Sequence, residues 1–191
     1  MEPQTEMNSK NEISRSIFKV LASIFKKHSI QAVLVGGYAV IAYKIQRSTF
    51  DIDFMVTNDD FKKIELDMFD MGYSIFNKSD AFVQLRGNVQ GLRDIDFLLG
   101  DAPTVQWLSS NGRIVTIAGE SFTVPSPHHL IAMKLHSLAG NSFRELKDFP
   151  DIVQIMIANN IDPGSDEVKT LFNKYHAMEI YERVIKAIRQ S

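Results

Sequence analysis

The chain has 191 residues, 45% of them hydrophobic, and carries a formal net charge of -2. That is enough apolar material for a core without disulfides, and the absence of cysteine excludes a disulfide framework, a thiolate metal site and a cysteine nucleophile. The mild acidity provides no global basic field for nucleic acid; the polar N-terminus and the lack of any apolar run near the roughly 20 residues that span a bilayer predict a soluble, cytoplasmic protein with no membrane partner.

Residues 1 to about 10 read as a frayed tail. From about Glu12 to His28, the residues Ile13, Ile17, Val20, Leu21, Ile24 and Phe25 recur at helical spacing and predict an amphipathic helix. Ala32 to Val35 is a short apolar run bounded by Gly36-Gly37, the pattern of a buried strand, and Tyr38 to Tyr43 reads as a short helix. Asp51 to Val56 alternates acidic with apolar residues and predicts a strand; Asn58 to Met71, ended by Gly72, predicts a helix. Strands are expected over Tyr73 to Phe76, Ala81 to Leu85 and Leu92 to Leu99, and a hairpin over Arg113 to Ile117 and Ser121 to Val124.

The character then changes. Ser126-Pro127 places serine at an N-cap and proline at the first helical position. Everything onward reads as helical apart from Asp162-Pro163-Gly164, with one helix from about Asp166 to Gln190 offering a packing or dimer surface. The expected fold class is α/β (α+β), a mixed twisted sheet flanked by helices with a helical C-terminal extension. Residues 1–125 form the body and residues 126–191 a helical part packed on it. Trp107 and the thirteen phenylalanines are expected mostly in the core, and the five histidines form no His-x-x-x-His metal pair.

The tetrapeptide Asp-Ile-Asp-Phe occurs at 51–54 and again at 94–97. Residues two apart on a strand share a face, so Asp51 and Asp53 project together while Ile52, Phe54 and Val56 point into a core; Asp94 and Asp96 behave likewise. If the two strands are neighbours, several carboxylates crowd one patch of sheet. Such a cluster repels itself unless a cation sits in it, and an all-oxygen set favours Mg²⁺, Mn²⁺ or Ca²⁺ over zinc. The alternative is a solvated wet face, although Asp is depleted in strands.

Taken together, Val35-Gly36-Gly37, the spacer, Asp51-Ile52-Asp53 and the later Ile95-Asp96-Phe97-Leu98-Leu99 resemble the polymerase-β-like nucleotidyltransferase superfamily. Arg47-Ser48-Thr49-Phe50-Asp51 looks like the Arg-x-Thr-x-Asp lead-in of its small bacterial members, which include the AbiEii-type toxins. A second match runs from Val124-Pro125-Ser126-Pro127 through Lys134 to Arg144, Lys147-Asp148 and Asp151. Tyr38 follows Gly37 where the family often has serine.

The resemblance implies a nucleotidyltransferase fold and Mg²⁺- or Mn²⁺-dependent transfer of a nucleoside monophosphate from an NTP to an acceptor hydroxyl on RNA, protein or a small molecule. Asp51, Asp53 and Asp96 are the implied catalytic, metal-holding residues, with Asp94 competing for the third place. Gly36, Gly37, Arg47, Ser48, Thr49 and Lys134 are the implied nucleotide-binding residues. Lys134 is otherwise an exposed helix lysine, Arg47 a surface salt bridge, and Asp148 with Asp151 a local ion-pair network. An antitoxin partner or a homodimer accords with this family. The rival readings are a non-catalytic nucleotide- or metal-binding relative and an interaction module with an acidic face.

Overall fold

The computed structural model describes residues 17–89 and 91–190. The expected tail and the start of the first helix, with Ile13, lie outside the described residues. Two compact units divide the described residues: one holds residues 17–38 together with Ser48–Pro125, the other Ala39–Arg47 together with residues 126–190.

The first unit contains helix α1 (residues 17–27), β1 (Val33–Leu34), the start of α2 (Gly36–Ala42), β2 (Ile52–Thr57), α3 (Asn58–Asp70), β3 (Tyr73–Lys78), β4 (Phe82–Gly87), β5 (Ile95–Gly100), α4 (Ala102–Ser110), β6 (Arg113–Ile117) and β7 (Glu120–Val124). The strands form one mixed sheet in the order β3-β4-β5-β2-β1-β7-β6. The β2–β5 and β1–β7 pairs are parallel and the rest antiparallel.

Alternation sets which face is dry. Ile52, Phe54 and Val56 of β2 are fully buried, as are Ile95 and Phe97 of β5. Phe54 stacks on Phe97 and meets Phe25 of α1, and Phe61 of α3 meets Phe97. Helices α1 and α3 therefore cover the face opposite to Asp53 and Asp96. Burying a phenylalanine such as Phe54 is worth about 1.5–3 kcal/mol, so a one-residue slip of β2, which would bring the aspartates inward, is strongly disfavoured. Helix α3 starts where Thr57 accepts a hydrogen bond from the Asp60 amide at 3.0 Å, and it buries Phe61, Ile64 and Met68 along one stripe.

Helix α4 has no counterpart in the sequence reading. Asp101 caps it by accepting the Thr104 amide at 2.7 Å, and Pro103 sits in its first turn. It buries only Val105 and Leu108, too short a stripe to announce a helix, and Trp107 on its other side is 54% exposed rather than core.

The second unit contains the rest of α2, then α5 (Pro127–Gly140), a 3₁₀ turn (Ser142–Arg144), α6 (Glu145–Ala158), α7 (Asp166–Lys174) and α8 (Met178–Arg189). Ser126 caps α5 through the His129 amide. The single helix expected from Asp166 onward is two helices. The chain breaks at Tyr175–Ala177, where His176 takes a left-handed φ of 53°, and α7 and α8 fold together through Phe172 and Tyr181.

Candidate active site

Parallel pairing of β2 with β5 puts Asp53 directly opposite Asp96. Asp51 precedes β2 and is exposed; Asp53 and Asp96 are half-buried. Asp94 lies just before β5, where its backbone carbonyl accepts from Ile52 at 3.1 Å and its side chain from the Gly87 amide at 3.3 Å. The two aspartates of the second Asp-Ile-Asp-Phe segment thus differ. Asp94 is occupied with the end of β4, whereas Asp96 faces Asp53.

Asp51, Asp94 and Asp96 line a cleft of about 100 Å³ together with Phe76, Gln84, Leu85 and Arg86. Burial drives the Asp96 carboxyl up to about 6; a hydrogen bond from Gln84 opposes the rise, and the charges of Asp53, Asp51 and Asp94 add to it. Among the described residues no three His, Cys, Asp or Glu side chains already close around one point as a metal cage. The donor set is nonetheless all carboxylate oxygen, partly dry and self-repelling. That fits Mg²⁺ or Mn²⁺, which commonly take one or two carboxylates and complete their shell with water and substrate phosphate.

The glycine pair abuts this face. Gly36 has a left-handed φ of 60°, and a Cβ there would strike the Asp53 carboxylate; a Cβ on Gly37 would strike the Thr49 side chain. Thr49 is itself held near the strand entrance. Its hydroxyl donates to the Asp51 carbonyl at 3.4 Å, and Arg93 donates to the carbonyls of Thr49 and Phe50 at 2.9 and 3.3 Å. Ser48 is exposed. Asp51, Asp53, Asp96, Gly36, Gly37, Ser48 and Thr49 therefore all fall within the first unit.

Lys134 and Arg47 belong to the second unit, in different surroundings. Lys134 is 6% exposed, which replaces the expectation of an exposed helix lysine. Its ammonium lies 2.7 Å from Asp148 and 2.5 Å from Asp151; Arg47 pairs with Asp151 at 2.7 Å and Arg144 with Asp148 at 3.0 Å. Burial works to raise the Asp148 carboxyl, but Lys134 and Arg144 outweigh it and hold the group below its ordinary value. This is the ion-pair network that the i, i+3 spacing of Asp148 and Asp151 suggested.

The sequence reading did not single out Gln84, Phe76, Arg86 or Arg93. Gln84 alternates with the buried Val83 and Leu85, a signal that it faces the aspartates once β4 is known to adjoin β5.

The family model described as nucleotidyl transferase AbiEii toxin, type IV TA system, matches residues 19–190. The chain belongs to this AbiEii nucleotidyltransferase family. It is accordingly a nucleotidyltransferase, an enzyme class whose transferred group comes from a nucleoside triphosphate.

Solved structures share the fold. The antibiotic-resistance factor ANT(2'')-Ia is 16% identical, with a TM-score of 0.62 over 90% of this chain and 97% of that one. The lincosamide antibiotic adenylyltransferase LnuA is 17% identical, with a TM-score of 0.52 over 76% and 96%. The Megavirus polyadenylate synthase is 17% identical, with a TM-score of 0.52 over 75% of this chain and 32% of its own. No curated protein matches the chain. Among the described residues no helix is long and apolar enough to cross a membrane.

Proposed function

We propose that this AbiEii-family nucleotidyltransferase uses the Asp51–Asp53–Asp96 face to move a nucleoside monophosphate from an NTP to an acceptor hydroxyl. The observation that carries the reading is the register of β2 against β5, which sets Asp53 beside Asp96 with Asp51 at the strand entrance. Asp53 and Asp96 are half-buried and Asp51 is exposed, and the carboxylates of Asp53, Asp51 and Asp94 add to the burial that pushes Asp96 up, so the face suits a divalent cation and the phosphates it brings.

Asp51 and Asp53 would hold the nucleotide-bound Mg²⁺ or Mn²⁺, with Asp96 shared toward a second ion. Bound there, the metal would neutralise charge on the reacting phosphates. Asp96 would take the proton from the acceptor hydroxyl. The acceptor oxygen then bonds to the α-phosphorus, the α–β phosphoanhydride bond breaks, and pyrophosphate leaves with that electron pair. Gly36 and Gly37, without side chains, would let the backbone come near the phosphates; Thr49 sets its side chain against Gly37, and the exposed Ser48 precedes it as a further candidate hydroxyl. Lys134 has its charge met by Asp148 and Asp151, which supports a bracing role within the helical unit over a phosphate contact; Arg47, paired with Asp151, reads the same way.

The likeness to ANT(2'')-Ia, solved in complex with adenylyl-2''-tobramycin, and to LnuA, solved with lincomycin bound, supports testing small hydroxylated molecules as acceptors beside RNA and protein. The AbiEii family description supports a toxin role with an antitoxin partner. Incubation with each α-labelled NTP, Mg²⁺ or Mn²⁺ and total cell extract tests the reading. Label on RNA, protein or a small molecule, lost in Asp53→Asn, is the expected result; no label with any NTP and either metal would reject it.

A further inference from the structure

Strand β3 is irregular at one place. Ile75 pairs with Leu85, but Asn77, two residues on, pairs with Gln84, one residue back, so Phe76 is an extra residue. This β-bulge changes which side chains share a face. In a regular ladder Asn77 would lie opposite Val83, whose side chain is fully buried. The bulge instead sets Asn77 against Gln84.

The pairing then continues without interruption. Gln84 of β4 is opposite Asp96 of β5, and Asp96 is opposite Asp53 of β2. Four strands contribute one row: Asn77, Gln84, Asp96 and Asp53. The row is hydrogen-bonded at its outer end. Asn77 Nδ2 donates to Gln84 Oε1 at 3.3 Å, and Gln84 Nε2 donates to Asp96 Oδ2 at 3.2 Å.

The direction of these bonds matters. A glutamine amide presents a donor or an acceptor depending on its rotation. With Oε1 engaged by Asn77, the NH₂ is turned toward the carboxylate. The opposite rotation would set a carbonyl oxygen against Asp96 and repel it. A bond to an ionised acceptor is also stronger than one between neutral groups.

We propose that Gln84, its amide oriented by Asn77 across the Phe76 bulge, is the positioning residue that fixes the Asp96 carboxylate for proton acceptance. This rests on the role given to Asp96 above. Gln84 does not itself accept the proton. It holds one carboxylate oxygen so that the other stays directed toward the reacting hydroxyl.

The full chain with Gln84→Ala, Gln84→Glu, Asn77→Ala, Asn77→Asp and the double Asn77→Ala/Gln84→Ala provides the test. Thermal midpoints identify any variant that fails to fold. Gln84→Ala should lower kcat about 10-fold, the scale of one hydrogen bond to a charged group, with KM for the NTP unchanged. Gln84→Glu, which cannot donate when ionised and adds a like charge, should lower kcat further. Asn77→Asp, an acceptor only, should turn the Gln84 amide and lower kcat toward the Gln84→Ala level. Adding Asn77→Ala to Gln84→Ala should cost nothing more, because the two act through one contact.

Wild-type kcat in Gln84→Ala, an undiminished Gln84→Glu, or additive losses in the double variant would overturn the proposal. A second readout needs no turnover: the ¹H and ¹⁵N resonances of the Gln84 side-chain amide. They should move in Asp96→Asn and again in Asn77→Ala. An amide that ignores both changes overturns the row, whereas an inactive wild type with responsive resonances rejects the transfer reading and leaves the row in place.

Discussion

Two groups of buried or half-buried aspartates in this chain meet opposite fates. In the helical unit, Asp148 and Asp151 stand beside Lys134, Arg47 and Arg144, and Asp148 is held below the ordinary carboxylate value. On the sheet, Asp96 stands beside Asp53, Asp51 and Asp94, accepts a hydrogen bond from the Gln84 amide, and is pushed up to about 6. The residue type is the same; the neighbours decide its use. Carboxylates neutralised by the protein's own cations brace a fold. Carboxylates that face one another are, on the function proposed above, the ones that take a cation arriving with a substrate.

The largest expected effect lies in the helical unit. Lys134→Ala leaves Asp148, fully buried, with half its partners, and should cost about 3–5 kcal/mol of unfolding free energy. Chemical denaturation of the two proteins measures this. A loss below about 1 kcal/mol would mean that Lys134 does not brace the unit.

Next comes the sheet face, where the sign of the stability change reverses. Asp96→Asn should lower transfer by about 100-fold or more, yet leave the metal-free protein as stable as wild type or more so, since one of several like charges is gone. Turnover and thermal midpoint together check it. A destabilised Asp96→Asn with intact turnover would erase the contrast between the two groups.

The smallest effect is its pH dependence. Asp96 has a folded value raised above its unfolded one, so the folded state binds more protons between about 4 and 6. Stability of the metal-free protein from this group therefore falls as pH rises through that window. The advantage of Asp96→Asn over wild type should shrink as pH drops from about 6 to about 4. Asp148 runs the other way: its folded value is depressed, so its stabilisation is full above the ordinary carboxylate value and is lost as pH falls below it. Thermal scans across pH separate the two slopes, and an Asp96→Asn advantage that grows on acidification would reverse the sign assigned here.

Much of this division was legible in the residues. The alternation of Asp51 to Val56 places β2 and its faces because burial of Ile52, Phe54 and Val56 leaves one register. Ser126-Pro127 marks the start of α5 through cap chemistry that is local by nature. The partners of Lys134 were not legible from its own helix, because an ion pair between α5 and α6 depends on packing rather than spacing. The Asn77–Gln84–Asp96 row was hidden for a similar reason: it exists only once β4 adjoins β5 and a bulge shifts β3. Helix α4 has a readable cap at Asp101, but its short stripe of Val105 and Leu108 carries too little periodicity. The break at His176 depends on a left-handed residue that no glycine advertises.

The proposal that the sheet aspartates hold an added cation is tested most directly by the thermal midpoints of wild type and Asp53→Asn, each with and without Mn²⁺ and a non-hydrolysable NTP analogue. A ligand that binds the folded state and not the unfolded one raises the midpoint, by an amount that grows with the logarithm of its concentration over its Kd. Without metal, Asp53→Asn should melt at or above wild type, and Mn²⁺ with the analogue should raise wild type by several degrees and the variant far less. An equal rise in both, or a metal-free Asp53→Asn that melts well below wild type, would contradict it.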